Sequence, residues 1–126
     1  MTKLRDIYRC NICGNVIEIT AEGAEALVCC GKPMGKFETK TVDAATEKHV
    51  PYIEETKNGV LVKVGQNQEH PMLENHFIMF VEVLTENQVL RAELKPGDKP
   101  QAEFTVSRNE IVLVREFCNL HGLWKN

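Results

Sequence analysis

The sequence predicts an all-β protein in two parts: a small metal-knuckle domain followed by a β-sandwich of immunoglobulin-like proportions. Three observations carry this. Four of the five cysteines form two pairs within the first thirty residues, each pair followed at once by glycine. From Tyr52 onward, short apolar runs are separated by turn residues at intervals of about 8–12 residues, the spacing of a sandwich. No stretch carries a convincing helical apolar period.

At 126 residues the chain has room for one medium domain or two small ones. Its 15 basic and 18 acidic residues leave a net charge of −3. That balance argues against nucleic acid or an anionic membrane as partner, since both require concentrated positive charge. No apolar run reaches the roughly 18 residues that would cross a bilayer. The opening residues Met1-Thr2-Lys3-Leu4-Arg5-Asp6 lack the apolar core of a signal peptide, so the expected compartment is the cytoplasm. Clustered cysteines there more often bind metal or do redox work than form disulfides. Five, an odd number, also fit a disulfide framework poorly.

The first element is Cys10-Asn11-Ile12-Cys13-Gly14, two thiolates on a tight turn with backbone N–H groups directed toward sulfur. Val16-Ile17-Glu18-Ile19 reads as a short strand. Fifteen residues separate Cys13 from the adjacent pair Cys29-Cys30, and the four thiols together predict one tetrahedral site. Adjacent cysteines share a metal only if the backbone between them is sharply bent, because an extended strand points them to opposite sides. Tetrahedral sulfur suits zinc and iron alike, so spacing leaves the metal open. A segment of this size buries too little to fold alone, and the metal is expected to fold it.

Lys36 to Lys48 is polar and reads as a linker, with Asp43 available to cap one helical turn. The domain boundary is expected near Phe37, giving domains 1–37 and 38–126. Beyond it Asn58-Gly59 is a hairpin signal, and Val60, Val62 and Val64 share one strand face. Phe77 to Leu84 is apolar on both faces, as in mid-sheet. Leu90, Ala92 and Leu94 alternate with polar neighbours, Pro96 to Pro100 forms a turn, and Ala102, Phe104 and Val106 alternate again. Ile111 to about Phe117 reads as the last strand.

All four histidines then fall on loops or strand ends, where a rigid β scaffold carries function. His49 precedes the first sandwich strand, His70 and His76 precede the strand at Phe77, and His121 follows the last. Cys118-Asn119-Leu120-His121 has ligand spacing, and the histidines with Cys118 make a four-imidazole, one-thiolate set. The residues alone also leave open a plain electron carrier or a zinc-holding interaction module.

Cys10-x-x-Cys13, Cys29-Cys30, Glu47-Lys48-His49-Val50-Pro51, His70-Pro71-Met72, His76 and Cys118-Asn119-x-His121-Gly122-x-Trp124 together resemble desulfoferrodoxin, the two-iron class of superoxide reductase, over essentially the whole chain. Departures are confined to Leu73 and Asn75, where relatives usually carry charged residues, and Leu123, often histidine; none is an expected ligand.

The resemblance implies a desulforedoxin-like domain holding iron through Cys10, Cys13, Cys29 and Cys30, and an immunoglobulin-like sandwich holding the catalytic iron. There it puts His49, His70, His76 and His121 at the equator and Cys118 on the axis, giving two irons per chain, one tetrahedral and one square-pyramidal. It implies that Glu47 fills the open position in the ferric state, and that Lys48 attracts superoxide and organises water for protonation. It further implies a homodimer fed by rubredoxin or a similar small donor. Four neutral imidazoles and one thiolate leave ferrous iron net positive, so such a site attracts an anion despite the acidic chain.

Overall fold

The computed structural model describes residues 1–41 and 49–126. The turn expected at Asp43, and the residues Glu47 and Lys48, lie outside the described residues. The chain divides into two compact units, Met1–Glu38 and Thr39–Asn126.

The first unit is built from five short strands: β1 (Ile7–Arg9), β2 (Val16–Glu18), β3 (Val28–Cys29), β4 (Lys32–Pro33) and β5 (Gly35–Lys36). β1 lies between β2 and β5, antiparallel to both, and β3 and β4 form a separate hairpin. Apolar burial is sparse, with Ile7, Tyr8, Cys10 and Ile19 as the buried apolar residues. So small a core fits a unit whose fold depends on its thiol cluster.

The second unit is the expected sandwich, with seven strands among the described residues: β6 (Pro51–Thr56), β7 (Gly59–Val64), β8 (Ile78–Leu84), β9 (Val89–Glu93), β10 (Gln101–Phe104), β11 (Leu113–Cys118) and β12 (Gly122–Lys125). One sheet has the order β10-β7-β6 and the other β12-β11-β8-β9, all neighbours antiparallel. The core lies between them, where Val60, Val62, Val64, Val81, Val83 and Val114 are fully buried. Each such side chain contributes about 1.5–3 kcal/mol by leaving water. On β8, β9 and β11 the buried Glu82 accepts hydrogen bonds from Arg91 Nε at 2.8 Å and Arg115 Nε at 2.6 Å, tying three strands of one sheet together.

Two details differ from the sequence reading. The β6–β7 turn is formed by Lys57-Asn58, and Gly59 is already the first residue of β7, paired with Thr56. A side chain at Gly59 would collide with the Phe104 carbonyl of β10, so the glycine serves a close approach. The second difference is larger: β11 is not the last strand. It starts at Leu113, after a 3-10 turn at Arg108–Glu110, and the chain then folds back as β12 on the sheet edge. Sequence gave little warning of β12, because Gly122-Leu123-Trp124-Lys125 is too short to display alternation.

The strand ends place the histidines. A bulge interrupts the β8–β11 register, with Phe117 opposite Phe80 but Cys118 opposite Ile78. The extra residue on β8 turns Ile78 inward and leaves Met79 out, so Ile78 lies beside its ladder partner, the buried Cys118, on the core face of the sheet. His70 is set by a tight loop after β7, where its N–H bonds the Val64 carbonyl at 3.2 Å. Gly65 opens that loop with φ +93°, and a Cβ there would lie 2.9 Å from the His70 nitrogen and closer still to the Gln68 carbonyl oxygen.

Gly65→Ala combines a left-handed backbone cost of about 1–2 kcal/mol with overpacking of about 1–3 kcal/mol. Chemical denaturation is expected to show a loss of about 2–5 kcal/mol. Because the strain falls on the His70 backbone, metal retention is expected to fall with it.

Candidate metal centres

In the first unit the four cysteine sulfurs lie within 4.8 Å of one another. Cys10 and Cys13 come from the turn after β1, closed by the Gly14 N–H bonding the Cys10 carbonyl at 2.9 Å. Cys29 and Cys30 come from the β3–β4 hairpin. Its two-residue loop is Cys30-Gly31, with φ of +53° and +74°. Two successive positive φ values mark the tight turn favoured by twisted hairpins, and here they supply the bend that adjacent cysteines require. Cys13 Sγ and Cys29 Sγ are 3.5 Å apart. Tetrahedral metal–sulfur bonds of about 2.3 Å would set sulfurs about 3.8 Å apart, so the cluster fits one ion.

Electrostatics divides the four thiols. Backbone N–H groups of Cys13 and Ile12 lower the Cys10 thiol to about 6, and the Cys13 N–H lies 3.4 Å from its sulfur. Cys30 is pushed up to about 12, chiefly by hydrogen bonding with Cys13 and Cys10, and Cys29 is raised by the same two neighbours. One thiolate forms readily, and further ones are opposed by the first. A cation removes that conflict.

In the second unit His49, His70, His76, Cys118 and His121 offer five donor atoms within 4.8 Å of one another. The imidazoles form a closed square. Neighbouring ring centroids are 4.7 Å apart for His49–His70, 4.8 Å for His70–His76, 5.1 Å for His76–His121 and 4.8 Å for His121–His49. Each pair is steeply inclined, between 64° and 79°. His49 Nε2 and His121 Nδ1 are 3.1 Å apart, and metal–nitrogen bonds of about 2.1 Å would set adjacent equatorial nitrogens about 3 Å apart. Cys118 Sγ, fully buried, is 3.8 Å from His121 Nδ1.

Outer contacts orient these ligands. His70 Nδ1 lies 2.7 Å from the Pro71 carbonyl oxygen. A carbonyl only accepts, so Nδ1 carries the proton and Nε2 keeps its lone pair for the metal. His49 stacks on the Trp124 indole, with centroids 4.5 Å apart and planes 11° apart. Trp124 Nε1 donates to the His121 carbonyl at 3.1 Å, and Lys40 Nζ donates to the same oxygen at 3.2 Å while lying 5.2 Å from the indole centroid. Cys118 ends β11 and His121 is the last residue of the short loop of the β11–β12 hairpin, whose first pair is Cys118 with Gly122.

All nine expected metal ligands are therefore gathered into the two predicted groups, four and five. Sequence reasoning missed Lys40, which sat unremarkably in a polar linker, and the stacking role of Trp124. Asn119 was visible in the motif but had no assigned part.

Two family models match in tandem: Desulfoferrodoxin, N-terminal domain, over residues 2–37, and Desulfoferrodoxin over residues 41–126. The chain belongs to the desulfoferrodoxin family. It is similar to the desulfoferrodoxin of Syntrophotalea carbinolica, 49% identical over 126 residues that cover 100% of this chain and 98% of that one. It is 33% identical to the superoxide reductase of Pyrococcus abyssi over 74% of this chain and 96% of that one. Among solved structures it resembles the superoxide reductase from Treponema pallidum, with a TM-score of 0.79, 27% identity and 96% of each chain covered. As in a two-iron desulfoferrodoxin, the donor sets match one four-cysteine iron site and one iron site of four histidines and a cysteine.

Near neutral pH, metal entry into the four-cysteine site must displace protons from at least Cys29 and Cys30, whose thiols are raised. Apparent affinity is therefore expected to rise at least about 100-fold per pH unit, two protons' worth of linkage. Chelator competition at pH 6.5 and 7.5 tests this; equal affinities would contradict it.

Proposed function

We propose that the chain is a superoxide reductase. It takes superoxide, one electron and two protons to hydrogen peroxide, and releases no oxygen. The observation that carries this reading is the square of four imidazoles with a buried thiolate beside it. Iron held by those five donors would supply the reducing electron and a place for the anion to bind.

The chain's own residues divide the remaining tasks. His49, His70, His76 and His121 would hold the iron as neutral donors and Cys118 as the single anionic one, so the loaded site would stay net positive and draw an anion. Lys48 adds to that local field and organises the water that delivers protons to the departing peroxide. Glu47 would supply a carboxylate ligand to the oxidised iron, as the family resemblance implies. Lys40, within reach of the His121 carbonyl, is a further cation at the same rim. Domain 1–37, with Cys10, Cys13, Cys29 and Cys30, handles electrons alone, and domain 38–126 does the chemistry. On the same reading the protein works as a cytoplasmic homodimer that draws electrons from rubredoxin or a similar small carrier. All five cysteines stand in the two donor groups, which supports a reducing compartment.

Rapid mixing of the reduced protein with superoxide is expected to yield peroxide without oxygen, whereas Cys118→Ser abolishes it. Oxygen evolution, or full activity in that variant, would sink the proposal. A colourless protein containing zinc on metal analysis would sink it earlier.

Lys48→Ala is expected to slow the second-order encounter by about tenfold and to flatten its dependence on ionic strength. An unchanged rate constant would remove Lys48 from the mechanism.

A further inference from the structure

The His76 turn and the Cys118–His121 loop come from distant parts of the chain, yet both must present ligands to one ion. One side chain joins them. Asn119 Oδ1 accepts from the Phe77 N–H at 2.9 Å, and Asn119 Nδ2 donates to the Asn75 carbonyl at 3.0 Å. Its own backbone N–H donates to the Phe77 carbonyl at 3.2 Å. These three bonds bracket His76 from both sides. His76 itself is tied to Leu73 by a pair of backbone bonds of 2.8 and 3.1 Å.

We infer that Asn119 is a positioning residue for the five-donor site, fixing His76 relative to Cys118 and His121. The inference rests on the metal reading given above and deepens it. The other equatorial ligands have different supports: His70 by its ring bond to Pro71, His49 by the Trp124 indole, His121 by its hairpin and two donors to its carbonyl. His76 is held through its backbone, and Asn119 is the long-range part of that hold. Only a carboxamide offers an acceptor and a donor side by side in one plane, so it alone satisfies an N–H at residue 77 and a C=O at residue 75 together. Aspartate keeps the acceptor but sets a carboxylate oxygen against the Asn75 carbonyl. Alanine keeps neither bond.

The test is a double-mutant cycle on ferrous-iron affinity at the five-donor site. Chelator competition measures it, and the two sites are distinguished by the absorption of one coordinated thiolate against four. Asn119→Ala is expected to weaken iron binding about 10- to 100-fold, the usual effect of losing an outer contact to a ligand. With His76→Ala already present, the same change is expected to cost no more than about threefold, because the ligand it serves is gone. A fall of equal size in both backgrounds would overturn the inference, since Asn119 would then act through the fold at large. Unchanged affinity in Asn119→Ala would overturn it too. If the alanine variant does not fold, Asn119→Asp takes its place, with at least about tenfold weaker binding expected and wild-type affinity fatal. A wild-type protein that binds no iron at this site defeats the superoxide reductase reading instead, before Asn119 is tested.

Discussion

Five electron-pair donors held within 4.8 Å of one another are the constraint on which the second unit depends. Gathering them without a cation is unfavourable, because the lone pairs face each other and two of the imidazoles are deeply buried. The scaffold meets this with strand ends instead of strand middles. His49 leads into β6, His70 and His76 lie between β7 and β8, Cys118 ends β11, and His121 comes just before β12. Each strand is pinned by ladder bonds, β7, β8 and β11 also by core valines, and the ligands sit at or just beyond the strand ends. The bulge at Met79 and the Glu82–Arg91–Arg115 ion group then act on the same strands, β8 and β11, that carry ligands at their termini. Rigidity in the sheet becomes accuracy at the rim.

The two metal groups solve opposite problems. In the first unit the donors are alike and acquire like charge, so each thiolate formed raises the cost of the next; Cys30, pushed up to about 12 chiefly by hydrogen bonding with Cys13 and Cys10, resists most. Backbone N–H groups offset part of that for Cys10. The result is a donor set that closes around its ion and leaves no position for a substrate, which suits passing electrons. In the second unit four of the five donors are neutral, and their assembly is limited by geometry more than by charge. That is why the second unit invests in oriented outer contacts: a carbonyl for His70, an indole face for His49, two donors on the carbonyl of His121.

Much of this was legible in the sequence, for physical reasons that can be named. Cysteine and histidine are scarce, soft or borderline donors, so their spacing is informative even without the fold. The alternation of Val60, Val62 and Val64 revealed a strand because a single buried face imposes a period of two. The hairpin β12 was not legible, since four residues with a glycine at the start give no period to read. Nor was Lys40, whose role comes from a bridge between its backbone and Trp124, a pairing across 84 positions that no local pattern encodes. The bend at Cys29-Cys30 lies between these cases. The need for it followed from two adjacent ligands, but its form, a hairpin loop with Cys30 itself left-handed, required the structure.

Trp124 shows how few residues join these layers. Its backbone pairs with Glu116 on β11 and bridges to Lys40, its ring supports His49, and its Nε1 holds the His121 carbonyl. One side chain thus touches ligands from the start and the end of the second unit. A flat, stiff ring suits this better than an aliphatic residue, because stacking fixes the plane of His49 while the N–H fixes the carbonyl of His121, a ligand 72 residues from His49 in sequence. Orientation at the metal is therefore inherited from the edge strand, and the last four residues of the hairpin matter to the site although only one residue of its loop, His121, is a ligand beside Cys118. Asn119 plays the same part toward His76 from within that loop. Together they make the β11–β12 hairpin the piece against which three of the four imidazoles are aligned.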